Sequence, residues 1–597
     1  MRLTSISVRN FRSIKAIEGM DVEPLQALVG ENNSGKSNLL RAVQCFLSAG
    51  AKGMRESDFN NSEEPAAITC EFGSLNEEER RRLRQYLLGD KVILRKELRI
   101  VFDESRGRSS VKAEYHGYQA EPRDEHLSIK KLEAAGGRVN WRQKAEQGGI
   151  LDYVQDENGR VNKTSYVAGL TRYLNEHDVE YDEPVLGQTQ ALGLPQNLLS
   201  ALPEFFLLPA ITDYSDEVDR RSTTSVFRRL MADLSDRIIK ADPRYGELEA
   251  ALGRVRSLLN KVEQDDQPAR LPAISQVENS LRDVVRRLMP TVNSVRLDVA
   301  VDESKDIFSK GVNLRVDDGV LTDVLDKGHG LQRSIVFSLL QMLIKSGNRN
   351  AVKPIILAIE EPELYIHPHS QRLIFRVLLE FAGFDGHEGE AGGTDQVIYS
   401  THSPSFVEVW NYQRIGVVTK TNAEEGTIVR QAQRGVLGSP DERRAFKILT
   451  SFGLKHNEVF FSRSAILVEG PEDEVGAIAA ARKLGLIVEL PEEIGLSIVV
   501  ANGKGEIPKF QRVLSAFEIE YGVLLEMDGE GETHQQIAPI LAELGPNRMA
   551  KIPNRIEDLL GLQRHFDNQR HAQQFFSDPE NINRDMEAVV RNLWPED

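Results

Sequence analysis

Gly30-Glu31-Asn32-Asn33-Ser34-Gly35-Lys36-Ser37 decides how this chain folds. The stretch fits the phosphate-loop pattern G-x-x-x-x-G-K-[ST]. An apolar run, Leu25 to Val29, leads directly into it. The segment NLLRAVQCFLSAG that follows Ser37 carries Leu39, Leu40, Val43, Phe46 and Leu47 on one helical face. Strand, loop and helix in that order make a phosphate cradle: the glycines let backbone N–H groups curl around an anion, and the helix start adds its positive end. Loop residues Gly30, Asn32, Asn33, Ser34, Gly35, Lys36, Ser37 and Asn38 are therefore expected to hold a nucleotide. Lys36 would reach the β and γ phosphates, and the Ser37 hydroxyl would ligate Mg²⁺.

The rest of such a site is expected on other buried strands. PIILAIEEP and QVIYSTHSP are short, almost continuous apolar runs, the pattern of parallel strands covered on both faces. The first ends in Glu360 and Glu361: Glu360 is expected to hold the Mg²⁺ shell and Glu361 to polarise the attacking water. His402, after the second run, is placed to touch the γ-phosphate. Between loop and acids comes KGHGLQRS (327–334), a Gly-rich turn opening a helix, with Gly328, Gly330 and Gln332. In this order the elements resemble an ABC-type ATPase head, in which the Gly-rich signature of one subunit closes on the nucleotide of another. Ser7-Val8-Arg9-Asn10-Phe11-Arg12, EEPELYIHP and STHSP resemble the SMC/RecF/OLD branch of those ATPases, and LLPAITD (207–213) is similar to OLD-family proteins.

A second α/β alternation begins at Ala465. ILVEGPEDEV puts Glu469 at an apolar strand end and Asp473 one helical turn on; YGVLLEMDGE puts Glu526 and Asp528 at another. Residues i and i+2 on a strand share a face, so Glu526 and Asp528 are expected to point the same way. Four converging carboxylates repel unless cations intervene, and hard oxygen donors suit Mg²⁺ or Mn²⁺. Strand, ExGxxD, helix, then a strand ending acidic-x-Asp resembles the TOPRIM domain of topoisomerases, primases and OLD nucleases. VVANGKGEIPKF, with Gly503 and Lys504, and RIEDLL resemble the OLD version, which makes Glu557 or Asp558 a further metal ligand. The usual first Asp of the pair is Glu526 here. The Lys that OLD nucleases carry near the chain end has no counterpart after Lys551, so Arg570, His571 or Lys551 would stand in.

The remaining chain sets the frame. Lys plus Arg number 74 against 91 Asp plus Glu, a net charge of −17 over 597 residues, which excludes a uniformly basic nucleic-acid coat while leaving local basic grooves open. Two cysteines, Cys45 and Cys70, exclude a disulfide framework and fit a reducing cytoplasm. No apolar stretch approaches the ~18 residues that cross a bilayer, and MRLTSISVRNFRSIK lacks the character of a secretory signal. EEERRRLR (77–84) reads as a solvated helix start, acid first and base after, rather than a DNA patch. Residues 104–195 read as an insertion with loops. VFRRLMADLSDRIIKA, YGELEAALGRVRSLLNKV and ISQVENSLRDVVRRLM read as three helical pieces of an arm too thin to bury its own stripes.

The expected fold is α/β: an ABC-type ATPase head (1–214 and 291–420) with an inserted helical dimerisation arm (215–290), a connector (421–462) and a TOPRIM domain (463–597). The resemblance implies an OLD-family, ATP-regulated, metal-dependent DNA endonuclease, similar to Gabija-type nuclease subunits of bacterial antiphage defence. It further implies a homodimer or higher homo-oligomer, with a helicase-like or reverse-transcriptase-associated partner encoded nearby. The main alternative is a DNA-sensing ATPase switch whose degenerate TOPRIM domain recruits an effector. A RecF-like repair role, which needs no TOPRIM acids, is weaker.

Overall fold

The computed structural model describes residues 1–595 except 49, 52, 104–107, 135–138, 156–158, 178, 184, 190–200, 211–241, 260–270, 280–313, 318, 346–352, 385–390, 421–424 and 451–453. Two compact units result: Met1–Leu207 with Lys353–Glu363 and Pro368–Asp597, and Leu208–Val352 with Leu364–His367.

In the first unit, β1 (Arg2–Phe11) and β2 (Ile14–Asp21) start an antiparallel sheet, and β3 (Leu25–Val29) leaves it for another. The first sheet continues with β4 (Ala66–Gly73), β5 (Leu87–Leu88), β6 (Lys91–Asp103), β7 (Arg108–Gln119) and β8 (Val185–Thr189). Its order is β2-β1-β4-β6-β7-β8, with β5 on β6. The second sheet takes β9 (Glu204–Leu208), β12 (Ile355–Glu360), β13 (Gln396–Ser400), β14 (Ile415–Thr419) and β15 (Ile428–Gln431) in the order β15-β14-β3-β13-β12-β9. Strands β3, β12 and β13 are buried at every position and run parallel, as their unbroken apolar character requires.

The helix Lys36–Leu47 lies in one core with both sheets: its Leu39, Leu40 and Phe46 cluster with Ile68 and Phe72 of the first and Ile356 and Ile398 of the second. Each such side chain contributes ~1.5–3 kcal/mol by leaving water. Lys96 of β6, fully buried, closes the far end of this helix. Its Nζ donates to the carbonyls of Cys45 (2.6 Å) and Ser48 (2.8 Å), and burial lowers its pKa to about 8.

Two stretches are more ordered than their sequence suggests. Residues 104–195, expected as loops, contain β7, β8 and the helices Ile129–Ala134, Trp141–Gln147, Leu151–Val154 and Lys163–Glu176 around a small core of Ala145, Ile150, Val154 and Tyr166. Three of these helices are at most two turns long, too short for periodicity to register. The stretch expected as a connector from 421 contributes β15, which pairs antiparallel with β14, before the helix Pro440–Thr450. EEERRRLR does open a helix, Glu77–Arg82, capped by Asn76.

The third sheet is parallel throughout: β16 (Ser464–Val468), β17 (Leu496–Val500), β18 (Glu520–Glu526) and β19 (Arg548–Ile552), in the order β17-β16-β18-β19. Helices Pro471–Lys483, Gln569–Phe576 and Arg584–Leu593 cover one side through Ala477, Ala481, Phe576, Met586 and Val590. Arg463, just before β16, places Nε 3.1 Å from Oε1 of Glu31 in the phosphate loop.

The second unit contains the hairpin β10 (Arg315–Asp317) and β11 (Leu321–Asp323), with the helices Tyr245–Leu259 and His329–Lys345. Of the expected arm, the piece at 226–241 and the second half of the third lie outside the described residues; Tyr245–Leu259 is helical and buries none of its residues. The segment VRLDVAV (295–301), whose alternating apolar pattern reads as a strand, also lies outside them.

Lys96→Ala should lower the unfolding free energy of the first unit by about 2–4 kcal/mol, since two buried carbonyls lose their donor and a cavity opens. Urea denaturation followed by tryptophan fluorescence checks this; an unchanged midpoint would show that the ammonium does not hold the helix end.

Candidate functional site

The register of the second sheet brings the head's candidate residues to one edge. Glu360 lies opposite Ser400, and Ser400 opposite Leu28, so the carboxyl ends of β12, β13 and β3 stand side by side. In doubly wound sheets this edge is where ligands bind. The loop after β3 needs glycine twice. Gly30 has φ +143° and its missing Cβ would strike the Val418 carbonyl; Gly35 has φ +111° and would strike Thr427. Lys36 is buried, and its Nζ donates to the carbonyls of Gly30 (2.9 Å) and Glu31 (2.8 Å). Burial lowers its pKa to about 8 against the pull of Glu361, Glu363 and Glu31.

The site fits a nucleotide phosphate on three counts. Among the described residues, no side chain caps the first N–H groups of the helix Lys36–Leu47, Ser34 Oγ is buried without a hydrogen-bond partner, and the hydrogen bonds of Lys36 Nζ go to carbonyls rather than to a carboxylate. Asn32, Asn33 and Ser37 are exposed around this loop. Asn38 instead turns to Ser13 Oγ (2.7 Å).

Glu360 is buried with Arg41 Nε 4.0 Å away, whereas Glu361 leaves the strand at φ +47° and lies half-buried, 3.9 Å from His402 Nε2. Burial and then Lys36 hold the His402 imidazole below its ordinary range, against Glu361. Two residues absent from the expected set organise this edge. Glu363 accepts from the His402 backbone N–H (2.6 Å) and Thr401 Oγ1 (3.0 Å), and burial raises its carboxyl. Thr427, beside β15, donates to the Ser34 carbonyl (2.8 Å) and pairs with Ser13 Oγ (2.8 Å), clamping the phosphate loop. Glu363 lay in plain view within EEPELYIHP; nothing in the sequence flagged Thr427. Gly328, Gly330 and Gln332 belong to the other unit. There Gln332 Nε2 donates to the Val324 and Lys327 carbonyls, and Gly330 leaves no room for a Cβ beside the Tyr365 carbonyl.

A second group of residues gathers at the carboxyl edge of the third sheet. Glu469 follows β16, Glu526 ends β18, Asp473 sits in the first turn of the helix Pro471–Lys483, and Glu557 follows β19. Asp473 Oδ2 accepts from the Gly470 N–H (2.9 Å), Glu526 Oε1 from that of Ile556 (2.6 Å) and Glu557 Oε1 from that of Phe566 (2.9 Å). Burial, then the charges of Glu469, Glu472 and Glu557, push the Asp473 carboxyl up to about 7. Burial and Asp473, Glu469 and Glu557 push Glu526 up to about 8.

Asp528 departs from expectation. The strand ends at Glu526 and Asp528 lies beyond it in the left-handed region at φ +50°, so strand alternation does not set the direction of its side chain. Lys504 and Arg555 (Nε–Oδ1 2.8 Å) hold Asp528 instead; burial would raise its carboxyl, but these two cations keep it below the ordinary range. Lys504, buried after β17, also stands 3.3 Å from Glu469 Oε2, an ion pair without hydrogen-bond geometry. Among the described residues, the lysine and arginine that touch the acids are Lys504 and Arg555, and His565 Nδ1 lies 3.6 Å from Glu557 Oε2. Of the expected stand-ins, Lys551 bonds Glu532 (2.6 Å), His571 lies beside Asp567 (3.5 Å) and Arg570 is exposed. Arg555 is the third residue beyond β19, a position that sequence pattern marks only once β19 is recognised as a strand. Asp558, the other acid offered by RIEDLL, is exposed.

The donor set fits a divalent cation by charge: hard oxygens crowd in a buried space where two of them otherwise take up protons. Among the described residues no three His, Cys, Asp or Glu side chains stand close enough to hold an ion, so binding requires the carboxylates to draw together.

Known proteins match along the same division. The AAA ATPase domain family matches residues 1–135 and 170–407, well over half of the chain, and the gap between them falls in the small helical core of the insertion. The "Overcoming lysogenization defect protein-like, TOPRIM domain" family matches 460–528. The Old nuclease of Escherichia phage P2 is 24% identical over 545 residues, covering 88% of this chain and 77% of that protein. The OLD nuclease of Thermus scotoductus is 23% identical over 542 residues, covering 88% and 82%. The SMC head domain from Thermotoga maritima aligns with 72% of this chain and all of its own at 12% identity, with a TM-score of 0.26, too low to speak for the fold. No helix among the described residues is long and apolar enough to cross a membrane. With an AAA ATPase domain followed by an OLD-like TOPRIM domain, the chain belongs to the OLD family of ATPase–TOPRIM proteins.

Proposed function

We propose that this protein is an ATP-regulated, divalent-metal-dependent DNA endonuclease, hydrolysing phosphodiester bonds in bacterial antiphage defence. The observation that carries this reading is the acid group of buried Asp473 and Glu557 with half-buried Glu469 and Glu526, beside Lys504 and Arg555. Two relatives named as nucleases, aligned over most of the chain, support it. Mg²⁺ or Mn²⁺ held by these carboxylates and Asp528 would supply activated water and charge neutralisation at the leaving oxygen. Lys504 and Arg555 would orient the scissile phosphate, Arg555 through a planar guanidinium suited to two phosphate oxygens. Asp473, whose carboxyl pKa is raised by burial and acidic neighbours, would release its proton as the cation binds.

In the head, Lys36 would bind the β and γ phosphates of ATP, Ser37 and Glu360 would hold Mg²⁺, Glu361 would polarise the attacking water and His402, fixed by Glu363, would face the γ-phosphate. Gly328, Gly330 and Gln332 would close on the nucleotide of a second copy. The division into head (1–214, 291–420), arm (215–290), connector (421–462) and TOPRIM domain (463–597) belongs to this reading. So does the arm as a contact between copies, in line with the exposed Val255, Leu258, Leu271 and Val277. The scaffold alternative draws on one observation, that Asp528 is already neutralised by Lys504 and Arg555.

Lys36→Ala should abolish ATP binding, read by calorimetry, because the loop loses its only lysine; wild-type ATP turnover in this variant would remove the assignment. Glu361→Gln should still bind ATP but hydrolyse it at least ~100-fold more slowly, the size of effect expected for a positioned base. Glu469→Ala and Glu526→Ala should each eliminate Mg²⁺- or Mn²⁺-dependent nicking of supercoiled plasmid while leaving ATP hydrolysis nearly intact. A wild-type protein that never cuts DNA under these conditions hands the case to the scaffold.

A further inference from the structure

A cleft of about 840 Å³ opens at the edge of the head's parallel sheet opposite the phosphate loop. Val22 to Pro24 before β3, Gln396 at the start of β13 and Arg414 just before β14 form its floor, so it faces the amino ends of these strands. Six cations line it: Arg2, Arg414, Arg434, Arg443, Arg444 and Lys447. Among the described residues that line it, Glu23 is the one carboxylate, and Arg434 already binds it; Asp395 and Glu408 add countercharge to Arg2 and Arg414 from behind the lining. In a chain of net charge −17 this is a local reversal of sign.

Arg2 Nη2 donates to the carbonyls of Ala391 and Gly393, yet among the described residues three of the cations each keep one buried N–H without an acceptor. Arg2 Nε, Arg414 Nη1 and Arg443 Nε are shut off from water and donate to no acceptor among the described residues. Burial, the largest effect, holds the guanidinium pKa of Arg2 and of Arg414 below the ordinary range, a cost that a bound anion would reverse. Arg414 lies over the Phe384 ring at 3.9 Å and Lys447 over Trp410 at 4.5 Å, so the aromatic faces already hold cations in position.

We propose that this cleft is a second anion site, distinct from the phosphate loop, that takes a small ligand carrying clustered phosphates. Guanidinium groups suit phosphate oxygens through paired donors, and the volume lies within the ~300–1,000 Å³ of small-molecule sites. A nucleic-acid strand is the poorer occupant, because its bases need open aromatic faces to stack on, and both rings here are covered. Arg443, Arg444 and Lys447 come from the helix Pro440–Thr450, whose Glu442 is also ion-paired to Arg512 of the TOPRIM domain. A ligand bridging this helix to Arg2 and Arg414 would therefore fasten the segment between the two domains to the head.

The test is calorimetric titration of the full chain with inorganic tripolyphosphate in the absence of divalent cations. In the Lys36→Ala background, which removes the phosphate loop as a competing site, Arg443→Gln with Arg444→Gln should weaken binding at least ~10-fold, as two charge-assisted contacts are lost, while Lys36→Ala alone should still bind. In the same background Arg444→Glu, at an exposed position, should also weaken it and carries the test if the Arg443/Arg444 variant melts early. Equal affinity in Lys36→Ala with and without the Arg443/Arg444 changes, loss of binding in Lys36→Ala alone, or no binding to the wild type would overturn the proposal. A 20-base-pair duplex, followed by fluorescence anisotropy, should bind the wild type and the double variant alike. If duplex binding falls while tripolyphosphate binding does not, the cleft is a nucleic-acid surface and the proposal fails.

Discussion

Both chemical centres of this chain depend on one constraint: parallel strands buried on both faces can offer polar groups only at their ends. The residues between are committed to the core, as Ile355 to Ile359 and Val397 to Tyr399 are. Register then does the assembling. Because Glu360, Ser400 and Leu28 stand level across three strands, the loops that follow them meet without long reaches. The same rule, repeated in β16, β18 and β19, gathers Glu469, Glu526 and Glu557 from positions far apart in the chain.

The two centres solve opposite electrostatic problems. The phosphate loop stores one buried cation, Lys36, eased by carbonyls and by the acids around it. The TOPRIM edge stores excess negative charge and, among the described residues, keeps Lys504 on Asp528 and Glu469 and Arg555 on Asp528, with neither on Asp473 or Glu526. Asp473 and Glu526 therefore lean toward protonation, whereas Asp528 leans away from it, although Glu526 and Asp528 are two residues apart.

What could be read from the sequence follows from the same physics. Unbroken apolar runs ending in glycine or acid identify a buried strand and its loop together, so the phosphate loop, EEP and EGPED stood out. Elements that lean on the rest of the fold did not. β15 is half-buried at a sheet edge, β19 is a five-residue strand between Pro- and Asn-containing loops, and the insertion helices are too short to show a stripe. Alternation failed at Asp528 because it holds only while the strand lasts, and the backbone turns left-handed one residue after Met527. Lys504, Arg555 and Thr427 act through partners distant in sequence, which local pattern does not encode.

The contact between Glu31 and Arg463 has a thermodynamic corollary. It joins the phosphate loop to the residue at which the TOPRIM sheet begins, and both side chains are largely exposed. A pair of that kind carries at most about 1 kcal/mol, close to a fivefold factor in an equilibrium constant. Coupling free energies between two sites are reciprocal. Whatever this contact lets the state of the loop do to affinity at the TOPRIM edge, occupancy of that edge does to the loop by the same factor.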